Sequence, residues 1–174
     1  MLRSVLFVLG GLLLAGCQTM SARPPVQPVK AVDLPRFMGD WYVSAHIPTF
    51  IERESYTAVE SYRMNDDGTI ATTFHFNKGA FDGPLKTYTP TGFVRNTTTN
   101  SEWGMRFVWP IKAEYLIAYL DANYQQTIVA RSKRDYVWIL TRTPHISAAD
   151  YDQLAQRVRD MGYDLALLRR VPHK

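Results

Sequence analysis

The chain of 174 residues holds a single cysteine, Cys17. A disulfide framework and a cysteine-rich metal centre are thereby excluded. The four histidines, His46, His75, His145 and His173, lie far apart and show no metal-ligand spacing. There is no Gly-x-Ser-x-Gly elbow, no internal repeat and no low-complexity segment. No apolar run approaches the roughly 20 residues that a membrane-spanning helix needs. Twenty lysines and arginines stand against sixteen acids, a formal charge of +4. The cations are scattered and form no basic stripe, so nucleic acid is not an expected partner. The expectation is a binding protein and not an enzyme, with no catalytic residue, metal or cofactor assigned.

What is present begins at the N-terminus. Arg3 precedes an apolar stretch, Val5 to Leu14, and the small residues Ala15 and Gly16 precede Cys17. This order is that of an export signal, and ten residues are too few to span a bilayer. Leu14-Ala15-Gly16-Cys17 resembles the lipobox of bacterial lipoproteins. The resemblance implies a signal peptide over 1–16, cleavage before Cys17, a diacylglycerol thioether on its sulfur and an acyl chain, such as palmitate, on its new amino group. Three chains anchor far more firmly than one, since each buried CH₂ contributes roughly 0.8 kcal/mol. With Cys17 acylated, no thiol is left for catalysis or metal binding. Gln18 follows the cysteine; among such lipoproteins an aspartate there favours the inner membrane, so the expected address is the outer membrane, facing the periplasm. Residues 17–32 then form a lipidated N-terminus and a proline-rich tether. At about 3.1 Å per residue its extended part could stretch to roughly 45 Å.

Residues 33–174 read as one all-β domain. Eight runs rich in aromatic and β-branched residues follow one another: 41–47, 56–64, 69–76, 85–94, 102–109, 115–121, 126–131 and 136–142. Asp67-Gly68 between the second and third is a hairpin signal. No helical spacer separates any two. That predicts an eight-stranded antiparallel up-and-down barrel, wide enough for one small ligand. One helix should follow outside it, capped by Ser147 with Asp150 three residues on, apolar at Tyr151, Leu154, Val158 and Met161, and ended by Gly162. Residues 163–171 read as a short final strand.

Gly39-Asp40-Trp41 at the start of the first strand and Arg142 at the end of the eighth resemble two signatures of the lipocalins. A third, at 120–124, matches loosely, with Ala122-Asn123-Tyr124 where Thr-Asp-Tyr is usual. Together with the lipobox, the order resembles the lipid-anchored outer-membrane lipocalins of bacteria over residues 33–172. The resemblance implies that Trp41 plugs the closed end of the barrel with Arg142 stacked across it, and that Gly39, Trp41 and Arg142 are structural.

Alternation supplies cavity candidates once Trp41 is set inward. They are Val43 and Ala45, then Phe74 and Phe76, Met105 and Phe107, Ile117 and Tyr119, and Tyr136 and Trp138. Lipocalin register also turns Glu60 and Tyr62 inward. These residues either fill a solid core or line a cavity; the many tyrosine hydroxyls, which need partners, favour a cavity. An inward Glu60 is either a register error, a member of a local salt bridge, or a polar anchor for a ligand headgroup. The loops expected at the open end mix Phe50, Ile51, Phe81, Trp109 and Ile111 with Arg53, Lys78, Lys112, Lys133 and Arg134. That mixture suits an amphiphile, a membrane face or a homodimer contact. By resemblance the ligand is a fatty acid or lysophospholipid, stored or transported for envelope maintenance. The alternatives are a filled-barrel interaction module and a carrier of another apolar ligand such as a tetrapyrrole.

Overall fold

The computed structural model describes residues 23–174; the signal peptide and Cys17 lie outside the described residues. A short helix α1 (Leu34–Phe37) leads into strands β1 (Gly39–Ile47), β2 (Ser55–Met64), β3 (Ile70–Lys78), β4 (Leu85–Tyr88), β5 (Thr91–Val94), β6 (Glu102–Val108), β7 (Ile111–Leu120), β8 (Gln126–Ala130) and β9 (Val137–Thr141). Helix α2 (Ala148–Asp160), a 3₁₀ turn and the two-residue strand β10 (Arg169–Arg170) complete the chain. All pairings are antiparallel: the sheet runs β1-β2-β3-β5-β6-β7-β8-β9 with β4 attached to β3, and β1 pairs with β9, so the sheet closes. The run 85–94, read as one strand, is split: Thr89-Pro90 interrupts it, because proline cannot donate to a ladder. β4 and β5 are therefore two halves of one stave, and the barrel has eight. β4 pairs with β3 alone, whereas β5 pairs with both β3 and β6.

The closed end is built around Trp41, which is fully buried. Its indole N–H donates to the Phe37 carbonyl at 2.8 Å. The Arg142 guanidinium lies 3.8 Å over its ring and donates to the carbonyls of Arg36, Met38 and Asp40 at 2.7 to 2.9 Å. The unusual 120–124 turn is held by Asp121, whose carboxylate accepts from the backbone of Asn123, Gln125 and Gln126. Above Trp41 the lower half of the barrel is solid. Phe37 and Trp103 meet edge-on at 5.5 Å, and Trp103 stacks on Tyr115 at 5.3 Å.

A second apolar layer lies outside, where Leu154 and Val158 of α2 cover Val137, Ile139, Ile128 and Ala130. Ser147 caps α2 as expected: its hydroxyl accepts from the Asp150 N–H at 3.0 Å and donates to that residue's carboxylate at 2.7 Å. Gly162 takes φ +89°, which ends the helix. Ser147→Ala should cost about 1 kcal/mol and lower the thermal midpoint by roughly 3 °C, read by calorimetry. The segment after the helix is less extended than expected, a 3₁₀ turn at Leu165–Leu167 and then β10 on the edge of β1.

The other difference lies at the start. Residues 23–32, expected to be part of an extended tether, lie against the barrel. Val26 joins the layer under α2, Val32 joins the inner cluster, and the amides of Val29 and Val32 donate to the carbonyls of Ile117 and Thr99 at 2.8 Å. Three valines spaced by three residues are enough to seat a segment rich in proline, whose ordering costs less entropy than that of an ordinary chain.

Candidate functional site

Up-and-down order places the β1–β2, β3–β4, β6–β7 and β8–β9 connections at one end, opposite Trp41. A cavity of about 440 Å³ opens there, within the size range of small-molecule sites. Its rim carries Phe50 and Ile51 from the β1–β2 loop and Phe107 and Val108 from the end of β6. Phe74, Tyr88, Met105 and Trp138 line its wall, and Glu60, Thr72 and Tyr115 its deeper part. The barrel is thus solid below and open above, and each of the two expectations for the interior describes one half.

Glu60 faces this space. Tyr62 donates to its carboxylate, and the hydroxyls of Tyr62 and Tyr115 are 2.6 Å apart. Burial pushes Glu60 up to about 7; the Tyr62 hydrogen bond holds it back, and the negative charge of Glu52 adds to the rise. Burial likewise raises both tyrosines well above their ordinary value. Glu60 is therefore a carboxyl close to half-protonated at neutral pH, set in an apolar chamber. The Thr72 hydroxyl, also on the lining, is buried and has no hydrogen-bond partner among the described residues. A ligand oxygen could supply one.

A second carboxylate, Glu52, lines the same cavity and is only 3% exposed. It accepts from the Thr49 N–H at 2.9 Å and from the Trp138 indole N–H at 3.1 Å, and His46 Nδ1 lies 3.6 Å away. Burial pushes Glu52 up, but His46 and Thr49 outweigh it and hold it below the ordinary carboxylate range. One cavity thus holds two carboxyls with pKa values displaced in opposite directions.

Not every expected lining residue is there. Ala45 and Tyr119 lie on the outer face, in the layer under α2, where Arg157 stacks 4.2 Å over the Tyr119 ring. The cause is a register shift in each strand, between Val43 and Ala45 and between Ile117 and Tyr119. An extra residue reverses inside and outside for everything beyond it. The same shift carries His46 inward, which strict alternation had turned out. Tyr136 stands just before β9, beside Trp138 but off the lining, and Phe107 is half exposed at the rim. Val43, Ile117, Tyr62 and Phe76 are buried inside without touching the open space. Tyr115, which the sequence reading passed over, shares the face of Ile117 two residues on and could have been found by extending that alternation. Glu52, in a loop, has no periodic signal at all.

An up-and-down barrel of eight staves, plugged by a tryptophan under an arginine and open at the other end, defines a carrier of small apolar molecules. The lipocalin-like domain model matches residues 32–173, and the chain belongs to the lipocalin family, whose members bind small hydrophobic ligands and are carriers, not enzymes. It is 27% identical to the outer membrane lipoprotein Blc of Vibrio cholerae over 94% of both chains, and 28% identical to the Blc of Escherichia coli K12 over 88% of this chain and 86% of that one. Temperature-induced lipocalin-1 of Arabidopsis thaliana is 26% identical over 88% of this chain and 86% of its own. Among solved structures, insecticyanin from the tobacco hornworm superposes with a TM-score of 0.68 at 14% identity, covering 88% of this chain and 87% of that one. No helix among the described residues is long and apolar enough to cross a membrane.

Proposed function

We propose that this protein carries single-chain amphiphiles, fatty acids or lysophospholipids, at the periplasmic face of the outer membrane, held there by an acylated Cys17, in the upkeep of the envelope. The observation that carries the reading is the half-open barrel. Its upper chamber is walled by Phe74, Tyr88, Met105 and Trp138 and is open at one end only. An acyl chain gains about 25 cal/mol for each Å² of apolar surface that it buries there. Buried polar groups, Glu60, Thr72 and Glu52 among them, face the chamber at set positions, as a site that orients a headgroup requires. The anchor is supported by the lipobox and by relatives that carry the name outer membrane lipoprotein.

Native mass spectrometry of a soluble form spanning residues 18–174, titrated with palmitate and with lysophosphatidylethanolamine, tests the carrier. Uptake of one amphiphile per chain is the expected result. A folded protein that takes up neither overturns the ligand class, and a visible absorption band on purification would point to a pigment instead.

A further inference from the structure

Eight large apolar side chains are exposed among the described residues, and seven of them stand on the loops and strand ends of the open end. Trp109 and Phe50 are each 78% exposed, Ile111 69% and Val108 67%. Phe81 and Leu85 flank the β3–β4 connection at the same end. Water-facing aromatic and aliphatic side chains gathered on the tips of separate hairpins cost solubility and do nothing for the core.

The start of the described chain lies at this end too. The Arg23 guanidinium donates to the Gly162 carbonyl at 3.0 Å, and Arg134, in the β8–β9 loop, donates to the carbonyls of Pro24 and Met161. From there the segment runs down the outside of the barrel, past Ile117 and Thr99, to α1 beneath Trp41. Six residue steps separate Arg23 from Cys17, a reach of at most about 22 Å. The longer strands rise about 3.3 Å per residue at a tilt near 40°, so the wall alone is roughly 23–25 Å high. An anchor at Cys17 cannot reach past that wall to lay the closed end on the bilayer.

We infer that the open rim, led by Phe50, Trp109 and Ile111, is a membrane-docking surface that seats the mouth of the barrel on the same lipid surface that holds Cys17. The inference rests on the anchor proposed above. Its occupant is the bilayer, because the chain outside the described residues is short and joins at the rim. Exposed Lys133, in the β8–β9 loop, stands at this end to meet headgroup phosphates, as basic residues do beside apolar anchors, whereas Lys112 turns its ammonium onto the Phe93 ring at 3.6 Å; Glu54 and Asp135 share that end and limit the attraction. A ligand would then pass between membrane and cavity without crossing bulk water.

The test uses the full lipidated chain in phosphatidylethanolamine–phosphatidylglycerol vesicles. With Cys17 acylated, Ile111→Cys carries the one free thiol, labelled with an environment-sensitive fluorophore; Asp67→Cys, at the far hairpin tip, is the reference. The expected result is a blue-shifted label at 111 that lipid-borne quencher reaches and aqueous iodide reaches several-fold less well than at 67. Flotation with the vesicles reports the anchor separately. A chain that floats while both labels are equally open to iodide overturns the docking and leaves the anchor standing. A chain that does not float overturns both. Pyrene excimer emission from 111 overturns the docking in favour of a second copy at the rim. A long Gly-Ser insertion after Ala22 should leave label 111 embedded, and adding Phe50→Ser and Trp109→Ser should release it. Release by the insertion alone would show that the tether, and not the rim, holds the mouth down, and would overturn the inference.

Discussion

Trp41→Ala lowers the free energy of unfolding by about 3–5 kcal/mol, which for a domain of this size is a fall of roughly 10 °C or more in thermal midpoint. The indole is fully buried, packs on Phe37 with ring centroids 5.0 Å apart, and closes the barrel floor. Little around it can collapse into the gap, because Arg142 is held by backbone carbonyls and Phe37 by its helix. Arg142→Ala costs about 2–4 kcal/mol by leaving the carbonyls of Arg36, Met38 and Asp40 without their charged donor. The two losses do not add. The face that Arg142 offers to Trp41 is lost in either single variant, so the double variant is less damaged than the sum by about 1 kcal/mol. Urea midpoints of the two single variants and the double variant measure this coupling. Strict additivity would show that plug and strap act separately.

Glu60 lowers wild-type stability as pH rises from mildly acidic to neutral, and Glu60→Gln removes that contribution. Glu60 holds its proton more tightly in the folded chain, at about 7 against an ordinary 4.5. Its contribution is therefore complete below the ordinary value, shrinks as pH rises through the interval, and is gone above about 7. The full span amounts to about 3 kcal/mol. The glutamine variant gains on wild type by about that amount as pH is raised, as paired denaturation curves across the interval would show. Ligand binding shares the sign. An acyl chain laid over Glu60 excludes water and favours the neutral form, so fatty-acid affinity weakens several-fold between about pH 6 and about pH 8 in wild type and stays level in the variant. A ligand that sets a cationic head on Glu60 would reverse the slope, which makes the pH profile a test of headgroup orientation. A wild type and variant that run parallel would show Glu60 to be ionised throughout.

The closed end was legible in the sequence because its parts are local and rigid. Gly39-Asp40-Trp41 opens a strand, Arg142 closes another, and antiparallel order brings the two together without any further information. Ser147 and Gly162 bounded the helix for the same reason, since each makes a contact within one turn. The cavity was legible only in part. Alternation is a faithful guide until a strand gains one residue, and no residue type near Ser44 or Ala118 announces that it will. Beyond those points the reading was inverted: Ala45 and Tyr119 went outside and His46 came in. The pairing of His46 with Glu52 joins a strand to a loop and has no period to betray it. The leader misled in another way. Its prolines point to extension, which is correct, but extended chain can dock as readily as it can wander, and Val26, Val29 and Val32 decide between the two.

The split fourth stave gives the barrel a seam. Because β4 is tied to β3 alone, the wall between β4 and the upper part of β6 is held from one side only. Local opening is cheapest where the fewest backbone bonds must break, so amide exchange should be fastest in this quarter of the barrel while the floor stays protected. An unpaired edge invites strands from other molecules, and here it is kept to four residues, with exposed Lys86 on it and Pro84 and Pro90 at its ends. What remains is a short, hinged panel in an otherwise continuous wall. A shift of that panel would widen the upper chamber and leave the other seven staves in register.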